Sequence, residues 1–236
     1  MLDNRSYYDE FSSWYEKERH EGYHALIDDL ETELVLPLCR DRDVLEIGCG
    51  TGLILRRVAP VARFAAGLDI SEGMLEVAAG RGLVTVQGSA TDLPFADGSF
   101  DALYSFKVLA HVQDIRKALR EFVRVTRPGA TLALEFYNRQ SLRYLVKRAT
   151  SPGAISARTD ESAVYTRWDT LGELRAMLPP ELSVERVAGV RVVTPAAAVH
   201  RIPGLRRIFG AAEVFARDSR RLGRFGGFLV LILKRA

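Results

Sequence analysis

The residues best equipped for chemistry lie in Val44-Leu45-Glu46-Ile47-Gly48-Cys49-Gly50-Thr51-Gly52, where three glycines at alternate positions follow a short apolar run. Glycine takes up positive φ readily and lets a ligand approach the backbone closely. A helix starting beyond such a loop offers unpaired N–H groups and a positive dipole end to a polar or anionic group. Downstream, Asp69 closes a second apolar run. That is near the spacing of about 20 residues at which an acidic side chain meets ribose hydroxyls. Glycines plus acid point to a nucleoside-containing cofactor. The G-x-G-x-G run is one residue tighter than the dinucleotide pattern G-x-G-x-x-G, and no G-x-x-x-x-G-K-[ST] phosphate loop occurs in the sequence. Cys49 reads as a small filler of the loop, because no histidine is near it in sequence.

One further residue invites a chemical role. His111, in "LAHVQD", follows an apolar run at the expected mouth of the site, and histidine titrates near neutral pH. It is the candidate general base, with a structural or substrate-orienting histidine as the alternative. No pair of His, Cys, Asp or Glu has metal-ligand spacing, so no metal is expected.

These residues need a scaffold, and the periodicities supply one. Val44–Ile47, Phe64–Ile70, Leu83–Gln87, Ala102–Phe106 and Thr131–Tyr137 read as strands. Between them lie helical stretches: Leu53–Ala59, Ser71–Ala79 with Ser71 as its cap, and the stripe Ile115, Ala118, Leu119, Phe122, Val123. "RPGA" turns the chain into the fifth strand. Strands alternating with helices imply a doubly wound, mostly parallel sheet. An amphipathic helix precedes it, with Tyr23, Leu26, Ile27, Leu30 and Leu34 inward and Asp28, Asp29, Glu31 and Glu33 on other faces. After Tyr137 the pattern loosens into helices near Ser141–Arg148 and Leu171–Leu178, a strand Ser183–Val193 and a last apolar strand from Gly227. The segment 194–225 is basic and reads as helical with a break at Pro203-Gly204.

Composition sets limits. The chain has 236 residues, 47% hydrophobic and 27% charged, with a net charge of +3. That suits a globular core and does not argue for a nucleic-acid partner. Two cysteines are too few for a disulfide scaffold, and with no apolar signal core a reducing, cytoplasmic setting is expected.

Taken in order, "VLEIGCGTG", "GLDISEGML", "GSATDLPFADGSFDALYS" and "HVQDIRKALREFVRVTRPGATLALE" resemble the class I S-adenosylmethionine-dependent methyltransferases. The likeness is greatest to the small-molecule branch that includes the ubiquinone/menaquinone-type (methyltransferase type 11-like) enzymes, and it covers about residues 40–137 well. It implies an α/β, Rossmann-like, doubly wound seven-stranded sheet, mostly parallel with an antiparallel last strand and helices on both faces. It implies one domain: an amino-terminal helical lid (1–40), a cofactor core (43–137) and acceptor-side elements (138–236). The last would carry a basic helical insertion at 194–225 and a final strand at 227–235.

The resemblance also implies roles. Gly48, Cys49, Gly50 and Gly52 would pass under the methionine and ribose of S-adenosylmethionine, and Glu46 would help hold its amino group. Asp69 would take the ribose hydroxyls, with Ile70 and Met74 flanking the adenine and Ser89 and Ala90 at its edge. Here the sequence departs from the family's "GDA" to "GSA", which weakens one contact by replacing a charged acceptor with a neutral one. Phe106 and Lys107 would line the methyl-transfer face, and Tyr15, in "YYDEFSSWY", would close over the cofactor.

The implied reaction moves a methyl group to O, N or C of a small, apolar or aromatic acceptor and releases S-adenosylhomocysteine. The alternatives are a nicotinamide-dependent oxidoreductase and a catalytically silent cofactor-binding partner. Three segments could shape the acceptor pocket: the amino-terminal aromatics, the stretch 138–168, and the basic segment. In the basic segment Ile202, Leu205, Ile208, Phe209, Ala212 and Phe215 form a stripe among arginines. It could cover an apolar acceptor, bind an anionic one, pack on the sheet, or make peripheral contact with a membrane. Monomer and homodimer both stay open.

Overall fold

A computed structural model describes residues 8–9, 22–149, 165–194, 199–200 and 202–236. The elements in chain order are α1 (Gly22–Cys39), β1 (Asp43–Ile47), α2 (Leu55–Val58), β2 (Phe64–Asp69), α3 (Glu72–Gly80), β3 (Val84–Gln87) and β4 (Phe100–Ser105). A 3-10 turn (Leu109–His111), α4 (Ile115–Val125), β5 (Thr126–Tyr137), α5 (Leu142–Ala149), α6 (Leu171–Met177) and β6 (Leu182–Val190) follow. The chain closes with α7 (Pro203–Arg217), a second 3-10 turn (Gly223–Phe225) and β7 (Phe228–Arg235).

The seven strands form one sheet in the order β3-β2-β1-β4-β5-β7-β6. β1 to β5 pair in parallel, and β7 runs antiparallel between β5 and β6. Side chains alternate across this sheet and create two cores. One face sets Leu45, Ile47, Leu103, Leu134 and Leu231 against Leu119 and Phe122 of α4 and Leu174 of α6. The other sets Val44, Ala102, Tyr104 and Val230 against Ile27, Leu30 and Val35 of α1. Full burial of each such aliphatic side chain is worth roughly 1.5–3 kcal/mol.

Local signals end the helices where expected. The Ser71 hydroxyl accepts from the Met74 N–H at 3.2 Å, and Asp114 accepts from Lys117 N–H at 2.9 Å. Pro203, at the expected break, stands at the start of α7, where a first-turn N–H would have no partner within the helix; that expectation stands. Two expectations need correction. Asp28 and Glu31 of α1 are buried (4% and 0% exposed), not merely on other faces of the helix. "RPGA" lies within β5, with Gly129 at φ +79° and a register shift opposite Phe100 and Ala102.

The sheet order places β1 between β2 and β4, where the winding reverses. Loops leaving the carboxyl ends of these strands border the crevice in which such sheets bind ligands.

Candidate functional site

The loop leaving β1 holds Gly48, Gly50 and Gly52 at φ +71°, +52° and +81°. A Cβ on Gly48 would lie 2.1 Å from Val108 Cγ2, and one on Gly52 would lie 2.3 Å from Leu83 Cδ1. The protein's own packing therefore demands glycine at both positions. Most of the loop's amides are already bonded. Gly48 and Cys49 N–H donate to the Leu68 carbonyl at 2.6 and 3.0 Å, and Gly52 N–H donates to the Cys49 carbonyl at 2.8 Å. The following helix, α2, has only four residues. The loop is a curved wall, not the row of unpaired N–H groups that a pyrophosphate needs.

Gly50 N–H donates to Asp69 Oδ2 at 2.8 Å, and Ser71 N–H donates to Oδ1 at 3.0 Å. Burial raises the Asp69 pKa, against the pull of these N–H donors. A carboxylate offers about four acceptor positions, so Asp69 keeps capacity for ligand hydroxyls. Asp9 reaches the same place. Asp9 Oδ1 accepts from Ser71 Oγ at 2.6 Å and from Gly73 N–H at 3.2 Å. Nothing in the sequence around Asp9 pointed to this contact, because its partner is 62 residues away.

Several side chains expected at the cofactor instead face inward. Cys49 is 6% exposed, with Sγ packed over Gly67 and its pKa driven up by burial, so only its backbone borders the loop. Met74 (2%) and Phe106 (5%) are core side chains, Phe106 packing on Tyr104 at 5.8 Å. Ile70 and Ala90 are half-buried. Ser89 Oγ accepts from Thr91 N–H at 3.2 Å and shares a hydrogen bond with Thr91 Oγ1 at 2.9 Å. Tyr15 lies outside the described residues.

Lys107 corrects another expectation. It sits at φ +61°, a conformation that costs a non-glycine residue on the order of 1–3 kcal/mol. Its N–H donates to Glu135 Oε1 at 3.0 Å, and its Nζ donates to Asp28 Oδ1 and Glu31 Oε2 at 2.8 and 2.7 Å. The ammonium is thus committed to α1 rather than lining a methyl-transfer face. Burial, and next the Glu31 charge, push the Glu135 carboxyl well up. Glu46, at the end of β1, is likewise pushed well up by burial while Tyr104 Oη donates to its Oε2 at 3.0 Å. Four carboxyl groups and one ammonium thus gather behind the glycine loop. No sequence pattern joined Asp28, Glu31 and Glu135.

On the far side of β4, His111 Nδ1 lies 2.9 Å from the Tyr165 carbonyl oxygen and 3.3 Å from Thr166 Oγ1. A carbonyl only accepts, so Nδ1 carries the proton and the basic lone pair belongs to Nε2. Burial lowers the His111 pKa. An aromatic wall continues from it: His111 to Tyr137 at 5.6 Å, Tyr137 to Trp168 at 5.2 Å, and Trp168 to Tyr144 at 5.1 Å. Tyr8 packs on His111 from the amino terminus at 6.4 Å. The Arg143 guanidinium stacks 4.3, 4.8 and 4.4 Å from the rings of Tyr137, Trp168 and Phe228. A separate cleft of about 210 Å³, between α1 and α7, is lined by Leu26, Asp29, His200, Arg206, Arg207 and Gly210 and shares no residue with the loop. Among the described residues no His, Cys, Asp and Glu group is arranged to hold a metal ion, and no helix is long and apolar enough to cross a membrane.

Comparison with known proteins matches residues 45–134 to a family described as a methyltransferase domain. The chain is 31% identical over 186 residues to a demethylmenaquinone methyltransferase of Tropheryma whipplei, covering 71% of this chain and 76% of that protein. It is 30% identical over 138 residues to the demethylmenaquinone methyltransferase of Corynebacterium urealyticum, covering 55% and 60%. The chain spans about half the length of the first curated relatives it matches. Among solved structures, an S-adenosylmethionine-dependent methyltransferase of Thermotoga maritima superposes with a TM-score of 0.70 at 20% identity, covering 97% of this chain and 98% of that one.

Proposed function

The chain belongs to the class I S-adenosylmethionine-dependent methyltransferases, and from that premise we propose that it methylates an oxygen, nitrogen or carbon of a small planar acceptor. The observation that carries this reading is the pairing of Gly50 with Asp69 at 2.8 Å. It fixes an acidic acceptor against a loop whose own amides are mostly taken. That suits a ribose diol and a methionine tail, and it leaves a nicotinamide dinucleotide without a phosphate cradle. The residues fit the cofactor in a second respect. Asp28 and Glu31 together face the single Lys107 ammonium behind the loop, so even with Glu46 and Glu135 protonated the local field favours a cationic group.

When bound, S-adenosylmethionine supplies an already activated methyl group. Asp69 would take the ribose hydroxyls, the Gly48–Gly52 loop and Glu46 the methionine portion, and Ile70, Ser89 and Ala90 the adenine. The chain then contributes mainly by holding acceptor and methyl in line and excluding water. Tyr8 and Asp9 support closure, since they touch His111 and Ser71. The wall of Tyr137, Tyr144 and Trp168, with the Arg143 guanidinium already on two of its rings, would border a flat acceptor. That agrees in kind with relatives named for demethylmenaquinone. An acceptor that must lose a proton would deliver it to His111 Nε2.

Calorimetric titration with S-adenosylhomocysteine, S-adenosylmethionine and NADH in parallel tests the reading. Micromolar binding of the two sulfur compounds and none of NADH is expected. Binding of NADH alone overturns it, and failure of all three would favour a silent scaffold.

A further inference from the structure

Helix α7 keeps large apolar residues on its solvent side. The side it turns to the protein carries two charged groups beside Phe209, Ala212 and Ala216: Glu213 is fully buried, and its two oxygens accept from Val192, Val193 and Thr194 N–H at 2.7, 3.0 and 2.7 Å. Arg217, also buried, donates to Glu33 Oε2 at 2.6 Å and to the Leu30 carbonyl at 3.3 Å. The side it turns to solvent is apolar. Ile208 is 65% exposed and Phe215 76%, with Ala211 between them at helical spacing and Val214 (45%) beside them. Ile202, before the helix, and Leu222 and Phe225, after it, are 54%, 42% and 44% exposed. Of the stripe read from the sequence, Ile202, Leu205, Ile208 and Phe215 therefore face outward, while Phe209 and Ala212 are half-buried.

Charge says what such a surface fits. Arg206, Arg207, Arg220, Arg221 and Arg224 are all exposed around the apolar residues. The acids of residues 202–226 are Glu213, buried as above, and Asp218, which is paired with Arg186 and Arg217. An apolar stripe flanked by arginines, with its acids neutralised, matches the acyl boundary and phosphates of an anionic lipid surface. Its place on the fold agrees. Glu213 is anchored to residues 192–194, just beyond Val190, and Val190 aligns through Phe228 with Tyr137 at the carboxyl end of β5. The stripe thus belongs to the edge of the sheet that carries the aromatic wall.

We propose that α7 and the turn after it form a peripheral docking element that lays Ile208, Phe215 and their neighbours on an anionic membrane surface. This goes beyond the methyl-transfer reading and does not depend on it. The test is sedimentation of the full chain with vesicles of phosphatidylcholine alone and with about 30 mol % phosphatidylglycerol. The wild type should sediment with the anionic vesicles, less so as salt rises. Ile208→Glu with Phe215→Glu should lower partitioning on the order of tenfold or more, because it removes apolar contact and adds like charge to the lipid. Arg206→Glu with Arg207→Glu should remove the preference for anionic vesicles. All three proteins should keep the same thermal midpoint and S-adenosylhomocysteine affinity, which separates lost docking from lost folding. No sedimentation of the wild type, or sedimentation unchanged in Ile208→Glu with Phe215→Glu, overturns the proposal. So does a wild-type dimer that those substitutions disperse without any vesicle binding, since the stripe would then belong to a second copy.

Discussion

At the scale of single residues, Asp69 is proposed to serve the cofactor and His111 the acceptor. Asp69 is held by two backbone N–H groups, so it is preoriented before any ligand arrives. Asp69→Ala should weaken S-adenosylhomocysteine binding by about 1–3 kcal/mol, roughly 5- to 150-fold in Kd by calorimetry. Wild-type affinity would remove the ribose role. His111→Asn can still offer an N–H to the Tyr165 carbonyl but carries no basic nitrogen. For a hydroxyl acceptor, kcat should fall by about 10²–10⁴ while S-adenosylhomocysteine affinity stays unchanged. Loss of that affinity in a folded variant would put His111 on the cofactor side. Because burial lowers the His111 pKa, the wild type should lose activity only as pH drops below the ordinary histidine range.

At the scale of elements, the loop between β1 and α2 is where sequence and packing meet. Gly48 combines φ +71° with a Cβ position 2.1 Å from Val108 Cγ2. Gly48→Ala should therefore cost at least about 2 kcal/mol in denaturant unfolding, the sum of left-handed strain and overpacking. Val108→Ala in that background should recover part of the loss, because it removes the clash and leaves the strain. No recovery would mean that the strain alone sets the cost. The glycine pattern was legible from the sequence. Its reason was only half legible, since Val108 sits 60 positions away, in the loop leaving β4, the strand that pairs with β1.

At the scale of the whole molecule, carboxyl groups at the two edges of the sheet titrate in opposite senses. At the amino edge, hydrogen bonds from Arg63 hold Asp43 down to about 2. That stabilisation is full above the unfolded value of about 3.9 and is lost as pH falls toward 2. At the carboxyl edge, burial pushes Glu46 and Glu135 well up. Their contribution is full below the unfolded value of about 4.3 and is lost as pH rises through their folded values. The thermal midpoint should therefore climb from pH 2 to about 4–5 and decline toward alkaline pH. Asp43→Asn should flatten the acid limb and Glu135→Gln the alkaline one. A midpoint that keeps rising through neutrality would show that the buried carboxyls do not retain their protons.

The alternation of strands and helices, the glycine loop, Asp69 at the end of β2 and the Ser71 cap could all be read along the chain. Each rests on a period or a local hydrogen bond read within a few residues. What those elements meet depends on the folded packing of residues far apart in the chain. Asp9 joins Ser71 across 62 residues, and Lys107 joins Glu31 and Asp28 across 76 and 79. The same limit explains α7 and the buried acids of α1. Periodicity shows which face of a helix is apolar, but burial depends on what covers that face, and that is settled by the packing of distant elements.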